Sequence, residues 1–268
     1  MADMKLAVAL WGFREMPLDK IIESCPQMGI RRLEAQLHSA VPLHFDAKLL
    51  SPDTDRILSL ANSKGVSFVS LATANDFTLE QDKLEAEMAY VREAIRFAAR
   101  INVSILRIFS GFEPRNKVCG KTFDRMVAAL AKSAGYASEH NVRLALENHG
   151  GIASTAEDML KILSAVNSPN LFLNFDPANF VAEGVDCIRA FELLKDRIIY
   201  VHLKDVRTSN GHKEFCAVGE GMIDWRKLLS LLEDRYNGVC AIEYENAEDP
   251  VEGTTRSREF ISKIVKCD

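Results

Sequence analysis

Two hydrophobic periods alternate along this chain of 268 residues. Short runs that are apolar almost throughout read as strands buried on both faces of a parallel sheet. Between them, apolar residues recur every three or four positions, as in helices that cover such a sheet. The strand readings are Lys5 to Leu10, RRLEAQL, VSFVSLA, VSILRIF, Val142 to Glu147, LFLNFD, IIYVHLK and VCAIEYE.

The helical readings carry stop and start signals. Pro17 starts a helix through Met28 that Gly29 ends; Ser51-Pro52-Asp53 opens another that Gly65 closes. Longer helices are expected from about Leu79 to Arg100 and from about Phe123 to Glu139. Ser154 is expected to cap a helix through Val166, with Glu157 completing a capping box. Segments from about Asp186 to Leu194, from Trp225 to Asp234 behind Asp224, and from about Val251 to Lys266 follow. A long polar loop with Gly211, Gly219 and Gly221 is expected after strand seven.

Eight strand–helix units with no linker between them predict an α/β fold, one (β/α)8 TIM barrel over residues 1–268. With 47% hydrophobic and 26% charged residues, the chain has ample material for a large core. A formal net charge of −5 argues against general attraction to nucleic acid or anionic membranes. Cys25, Cys119, Cys187, Cys216, Cys240 and Cys267 are scattered, without a CxxC pair. The apolar run near the N-terminus is short for a bilayer span. Reduced thiols in a cytoplasmic protein are the expectation.

Chemistry enters at the strand ends. Val142-Arg143-Leu144-Ala145-Leu146-Glu147 ends on a carboxylate before Asn148-His149-Gly150-Gly151. The next strands end at Asp176, carry His202, and carry Glu243. In a barrel the active site lies at the carboxyl ends of the strands, so all four converge. Crowded carboxylates repel unless a positive charge lies between them. One divalent ion does this, and three oxygens with one nitrogen suit Mn²⁺, Mg²⁺, Co²⁺ or Zn²⁺. The competing reading has each acid capping or pairing with a nearby helix.

The blocks LENHGG, NFDPAN, VHLKD, VGEG-x-IDW and IEYE resemble the xylose isomerase-like barrels, specifically the sugar phosphate isomerase/epimerase group. The resemblance spans essentially the whole chain. It implies that Glu147, Asp176, His202 and Glu243 hold one metal. It also implies that Glu147 and Glu243 flank the substrate carbon as an acid/base pair. The expected activity is a metal-dependent isomerase or epimerase of a sugar, sugar phosphate or cyclitol, with a dehydratase or lyase of a keto-cyclitol or keto-sugar as the alternative. A metal binding the carbonyl and hydroxyl oxygens of an α-hydroxyketone acidifies the C–H between them, and all three outcomes begin there.

Further candidates for substrate contact are His149, Asn179, Lys204, Arg207, Arg107, Glu34 and Trp11. Asn179 stands where ketose epimerases carry a histidine, three residues after the metal-binding Asp. Lys204 shares its strand face with His202, or else pairs with Asp205 at the rim. Arg107 and Glu34 are inward on their strands and either reach substrate or pair to fill the barrel. Arg207 resembles a substrate-binding Arg of the epimerases, displaced by one residue. Trp11 and Phe13 offer an apolar wall to a sugar ring or pack the barrel end. Endonuclease IV-type repair enzymes share the barrel but need more histidines for about three zincs. A non-catalytic sugar-binding subunit would not need two acids across one carbon. The expected partner is a small sugar-like molecule, with no nucleic acid or membrane and with possible homo-oligomers.

Overall fold

A computed structural model describes residues 3–37, 44–45 and 52–268. In chain order the first half runs β1 (Lys5–Ala9), α1 (Leu18–Met28), β2 (Arg32–Gln36), α2 (Pro52–Ser63) and β3 (Ser67–Ala72). It continues with α3 (Gln81–Arg100), β4 (Ile105–Ile108), α4 (Gly120–Glu139) and β5 (Arg143–Glu147). The second half opens with α5 (Ala156–Val166), β6 (Leu171–Phe175), α6 (Pro177–Ala182), α7 (Cys187–Leu194) and β7 (Ile198–Leu203). A hairpin of β8 (Asp205–Ser209) and β9 (His212–Cys216) precedes α8 (Trp225–Arg235), β10 (Val239–Ile242) and α9 (Pro250–Ser262).

Strands β1 to β7 and β10 close into a parallel barrel, β10 pairing with both β1 and β7. The expected eight-stranded (β/α)8 barrel is therefore present. Alternate strand residues go to two separate apolar clusters, as the two-residue period demands. Leu6, Val8, Leu144 and Leu146 join the layer between sheet and helices. Ala7, Ala9, Ala145, Ala241, Ile105 and Tyr200 cluster on the other face, inside the barrel. Small side chains suit that face because eight strands crowd their inward residues into layers. The inward residues nearer the strand ends are charged, and they form the site described below.

The structure departs from the local expectations at several points. Thr155, not Ser154, caps α5, accepting from the Asp158 N–H at 3.1 Å. Ser154 is diverted because its hydroxyl donates to the Gly151 carbonyl at 2.6 Å. The loop after strand seven holds the β8–β9 hairpin, turned by Asn210 and Gly211 at φ 51° and 80°. That pair of positive φ angles is the hairpin turn that Asn-Gly favours. A further short helix, α6, follows β6, with the Asp176 carboxylate accepting from the Asn179 N–H at 3.0 Å. Both α3 and the final helix are shorter than read, ending α9 at Ser262. The Ser51 start signal lies outside the described residues.

Candidate metal centre and substrate cavity

Glu147 is the last residue of β5, and Asp176 and Glu243 directly follow β6 and β10. His202 is the penultimate residue of β7. The barrel register brings one ligand atom from each to within 4.8 Å of one another. His202 Nδ1 lies 3.4 Å from Glu243 Oε2, 3.5 Å from Glu147 Oε1 and 4.0 Å from Asp176 Oδ2. This Nδ1 is fully buried and has no hydrogen-bond partner among the described residues. A buried ring nitrogen facing three carboxylates fits a divalent cation, and the oxygen-rich donor set suits one. The cluster can therefore hold a metal.

Three of the four cluster residues are braced by neighbours. His202 Nε2 meets Glu34 at 3.2 Å, leaving Nδ1 to face the carboxylates. The Ser70 hydroxyl lies 3.1 Å from Glu34 and 2.7 Å from the Tyr200 hydroxyl, extending the chain across the barrel. Glu147 Oε2 is ion-paired with Arg107 Nε at 3.1 Å, and its Oε1 accepts from Asn179 at 3.1 Å. Arg107 also donates to the Thr73 carbonyl at 2.6 Å. Asn148 ties β5 to β6, donating to the Asp176 carbonyl and accepting from its N–H, both at 2.8 Å.

The charges perturb one another strongly. Burial opposes a charged His202, but Glu243, Glu34 and Glu147 outweigh it and hold the imidazole well above its ordinary range. Burial pushes the Asp176 carboxyl up to about 6, against the pull of Lys204. Burial would also raise Glu147, yet Arg107 and His202 bring it down to about 2. Lys204 and His202 likewise overcome burial at Glu243 and hold it well below the usual carboxylate range.

Lys204 is 1% exposed and contacts Asp176 Oδ2 and Glu243 Oε2, each at 2.9 Å. Its third partner is Glu245 Oε1 at 2.7 Å. The expected pairing with Asp205 is replaced, because Asp205 is occupied elsewhere. Its carboxylate accepts from the N–H groups of Gly219 and Gly221 at 3.0 Å and from Trp225 Nε1 at 2.7 Å. The VGEG-x-IDW block is thus a cage for the Asp of VHLKD. It fixes the turn from Lys204 into the hairpin.

A cavity of about 200 Å³ opens above the cluster. Glu147, Glu243, Lys204 and Arg107 form charged parts of its wall, with Gln36 and Glu245 beside them. Trp11, Phe109, Phe112 and Phe215 supply aromatic surface, and His149 lines the open side. The His149 ring packs against Phe109 and Phe112 at 4.8 and 5.9 Å between centroids. A larger groove of about 390 Å³ between α3 and α4, lined by Leu84, Met88, Arg92 and Arg125, has no comparable convergence of buried charge.

Other sequence candidates fall differently. Arg207 sits exposed on β8, paired with Glu214 at 3.1 Å, and is not part of the cavity lining. The inward Arg107–Glu34 pair is not formed; Arg107 takes Glu147 and Glu34 takes His202. Asn179 is turned onto Glu147. Phe13 is buried in the core and Trp11 lines the cavity. Glu245, outside the sequence candidates, also lines the cavity, and its two-residue spacing from Glu243 is the local signal for it. Phe215 carried no such signal, since only the hairpin brings it over Lys204, whose ammonium lies 4.4 Å from its ring centroid.

Fold and site together define a (β/α)8 barrel with an acidic, His-containing centre at the carboxyl ends of its strands. The chain belongs to the xylose isomerase-like TIM barrel family, whose description matches residues 22–264. An uncharacterised Methanocaldococcus jannaschii protein is 26% identical over 184 residues, 65% of this chain and 62% of its own length. An inosose dehydratase of Geobacillus kaustophilus is 24% identical over 287 residues, 93% of each chain. The match to a Clostridium perfringens inosose dehydratase spans only 58% of that protein.

Among solved structures, the probable 3-DHS dehydratase AsbF of Bacillus anthracis superposes with a TM-score of 0.80 at 18% identity, covering 96% of this chain and 99% of that one. The IOLI protein with a bound zinc atom gives 0.80 at 20% identity, covering 97% and 99%. A D-tagatose 3-epimerase-like protein gives 0.78 at 21%, covering 97% and 98%. At these identities the structural likeness shows the fold. No helix among the described residues is long and apolar enough to cross a membrane.

Proposed function

We propose that this protein is a metal-dependent dehydratase of a small polyhydroxylated ketone, a keto-cyclitol or keto-sugar. The observation that carries the reading is Lys204, a cation in the cavity wall touching Glu243 at 2.9 Å. Elimination needs one base at the carbon beside the carbonyl and positive or acidic groups where charge develops and the hydroxyl leaves. Epimerisation needs two comparable bases across that carbon. Glu147 is gripped by two groups, the Arg107 guanidinium and the Asn179 amide. The cavity-side contact of Glu243 is instead the flexible ammonium of Lys204, so Glu243 is the freer base.

A divalent ion held by Glu147, Asp176, His202 and Glu243 would supply Lewis acidity toward the substrate carbonyl. Glu243 takes the proton from the carbon beside that carbonyl, and the C–H electron pair becomes an enolate. The enolate collapses by breaking the C–O bond at the next carbon. The departing hydroxide takes a proton from His149 and leaves as water. The resulting enol tautomerises to a dione. Lys204 faces the negative charge while it lasts, and Trp11 and Phe112 offer surface to the apolar face of a ring. The small cavity matches a substrate below drug size.

Inversion by Glu147 and Glu243 is the second reading, favoured by their common approach to one point. Metal-loaded protein incubated in D₂O with keto-cyclitols and ketoses separates the two. Loss of one water, read by mass spectrometry, supports the dehydratase. Deuterated epimers without water loss make it an epimerase. Absence of any exchange at the carbon beside the carbonyl across the panel rejects both.

A further inference from the structure

We propose that Lys204 competes with the metal for Asp176 and Glu243, and that Glu245 is the acceptor to which its ammonium withdraws when an ion binds. The inference rests on the reading that the four-residue cluster holds a metal. One ammonium touches Asp176 Oδ2, Glu243 Oε2 and Glu245 Oε1, at 2.9, 2.9 and 2.7 Å. Two of those three acids belong to the metal-binding cluster, and the third does not. Glu245 follows Glu243 by two residues, its side chain is 25% exposed, and it lines the cavity.

An ammonium and a dication on the same two carboxylates repel each other, most strongly in a site shielded from water. Lys204 is a flexible point charge, and letting go of Asp176 and Glu243 does not strand it. Glu245 already accepts its hydrogen bond, and the Phe215 ring offers a π face 4.4 Å away. Both partners border the cavity. Metal loading therefore shifts a positive charge from the cluster toward the substrate cavity. With an ion held by the cluster, Lys204 would stand on the cavity side, where negative charge develops on the substrate.

Calorimetric titration of the metal-free protein with Mn²⁺ and Zn²⁺ tests this without any turnover. Lys204→Met keeps the length of the side chain and removes the charge, and should bind the ion about tenfold more tightly. Lys204→Arg keeps the charge and should stay near the wild-type affinity. Glu245→Gln removes the resting place of the ammonium and should weaken metal binding about threefold. Far-UV circular dichroism checks that each variant is folded. Should Lys204→Met fail to fold, Glu245→Gln decides, because a rim residue is replaced there.

Unchanged or weaker affinity in folded Lys204→Met overturns the proposal, as does unchanged affinity in Glu245→Gln. Wild-type protein that binds neither ion removes the metal reading itself, and this inference falls with it. A wild type that binds, with a Lys204→Met variant that binds no better, rejects the competition alone.

Discussion

Replacing Glu34 by Gln tests whether the barrel interior is built to orient His202. Glu34 is fully buried, with its two oxygens 3.2 and 3.3 Å from His202 Nε2. Gln retains an oxygen that can accept from Nε2–H, but the charge is gone. A charge-assisted hydrogen bond is roughly twice as strong as a neutral one, so orientation survives only weakly. The Ser70 hydroxyl that faces Glu34 then meets either the amide oxygen or its NH₂, and the Tyr200–Ser70 link must adjust. Loss of such an outer partner typically lowers metal affinity about 10- to 100-fold, roughly 1.4–2.7 kcal/mol. Isothermal titration of wild type and variant with Zn²⁺ measures it, with thermal melts of both metal-free proteins as the fold control. Equal dissociation constants in two folded proteins would refute the bracing role. Glu34 would then be filler, and the ring would be held by packing against Tyr200, whose centroid lies 5.7 Å away.

Three more outcomes follow from the geometry. With metal content matched, Glu243→Gln should lose about 10²–10⁴-fold in turnover and stop exchange of the substrate proton, whereas Glu147→Gln should still exchange it; NMR in D₂O reads both. His44, buried and held down to about 4 from 6.5 chiefly by desolvation, is neutral in the fold. Its contribution, up to about 3 kcal/mol, is complete above pH 6.5 and fades as the pH falls toward 4. Urea midpoints at pH 7 and pH 4.5 should thus fall further for wild type than for His44→Gln. Gly221→Ala would drive a Cβ into the Asp205 carboxylate and should cost about 1–3 kcal/mol, seen as a lower melting temperature; an unchanged one would dismiss the cage around Asp205.

Much of this molecule was legible along the chain because its strands and helices announce themselves locally. Apolar runs such as Leu144-Ala145-Leu146 can be buried on both faces only in a covered sheet, and eight such units in alternation close a barrel. The acids and histidine at strand ends were legible for the same reason, since a barrel collects its strand ends in one place. Partner choice was not. Arg107 had both Glu34 and Glu147 within its interior, and the stagger between neighbouring strands gave it Glu147 and left Glu34 to His202. Lys204 was readable as inward but not as the cation bridging Asp176, Glu243 and Glu245, residues up to 69 positions apart. The Asn210-Gly211 hairpin carried a local signal, yet that Phe215 would rest over Lys204 depended on the Asp205 cage. Periodicity depends on which residues lie one or two turns apart, so the chain itself encodes it. Ion pairs depend on which side chains meet across the barrel, and that is decided only when the strands have found their register.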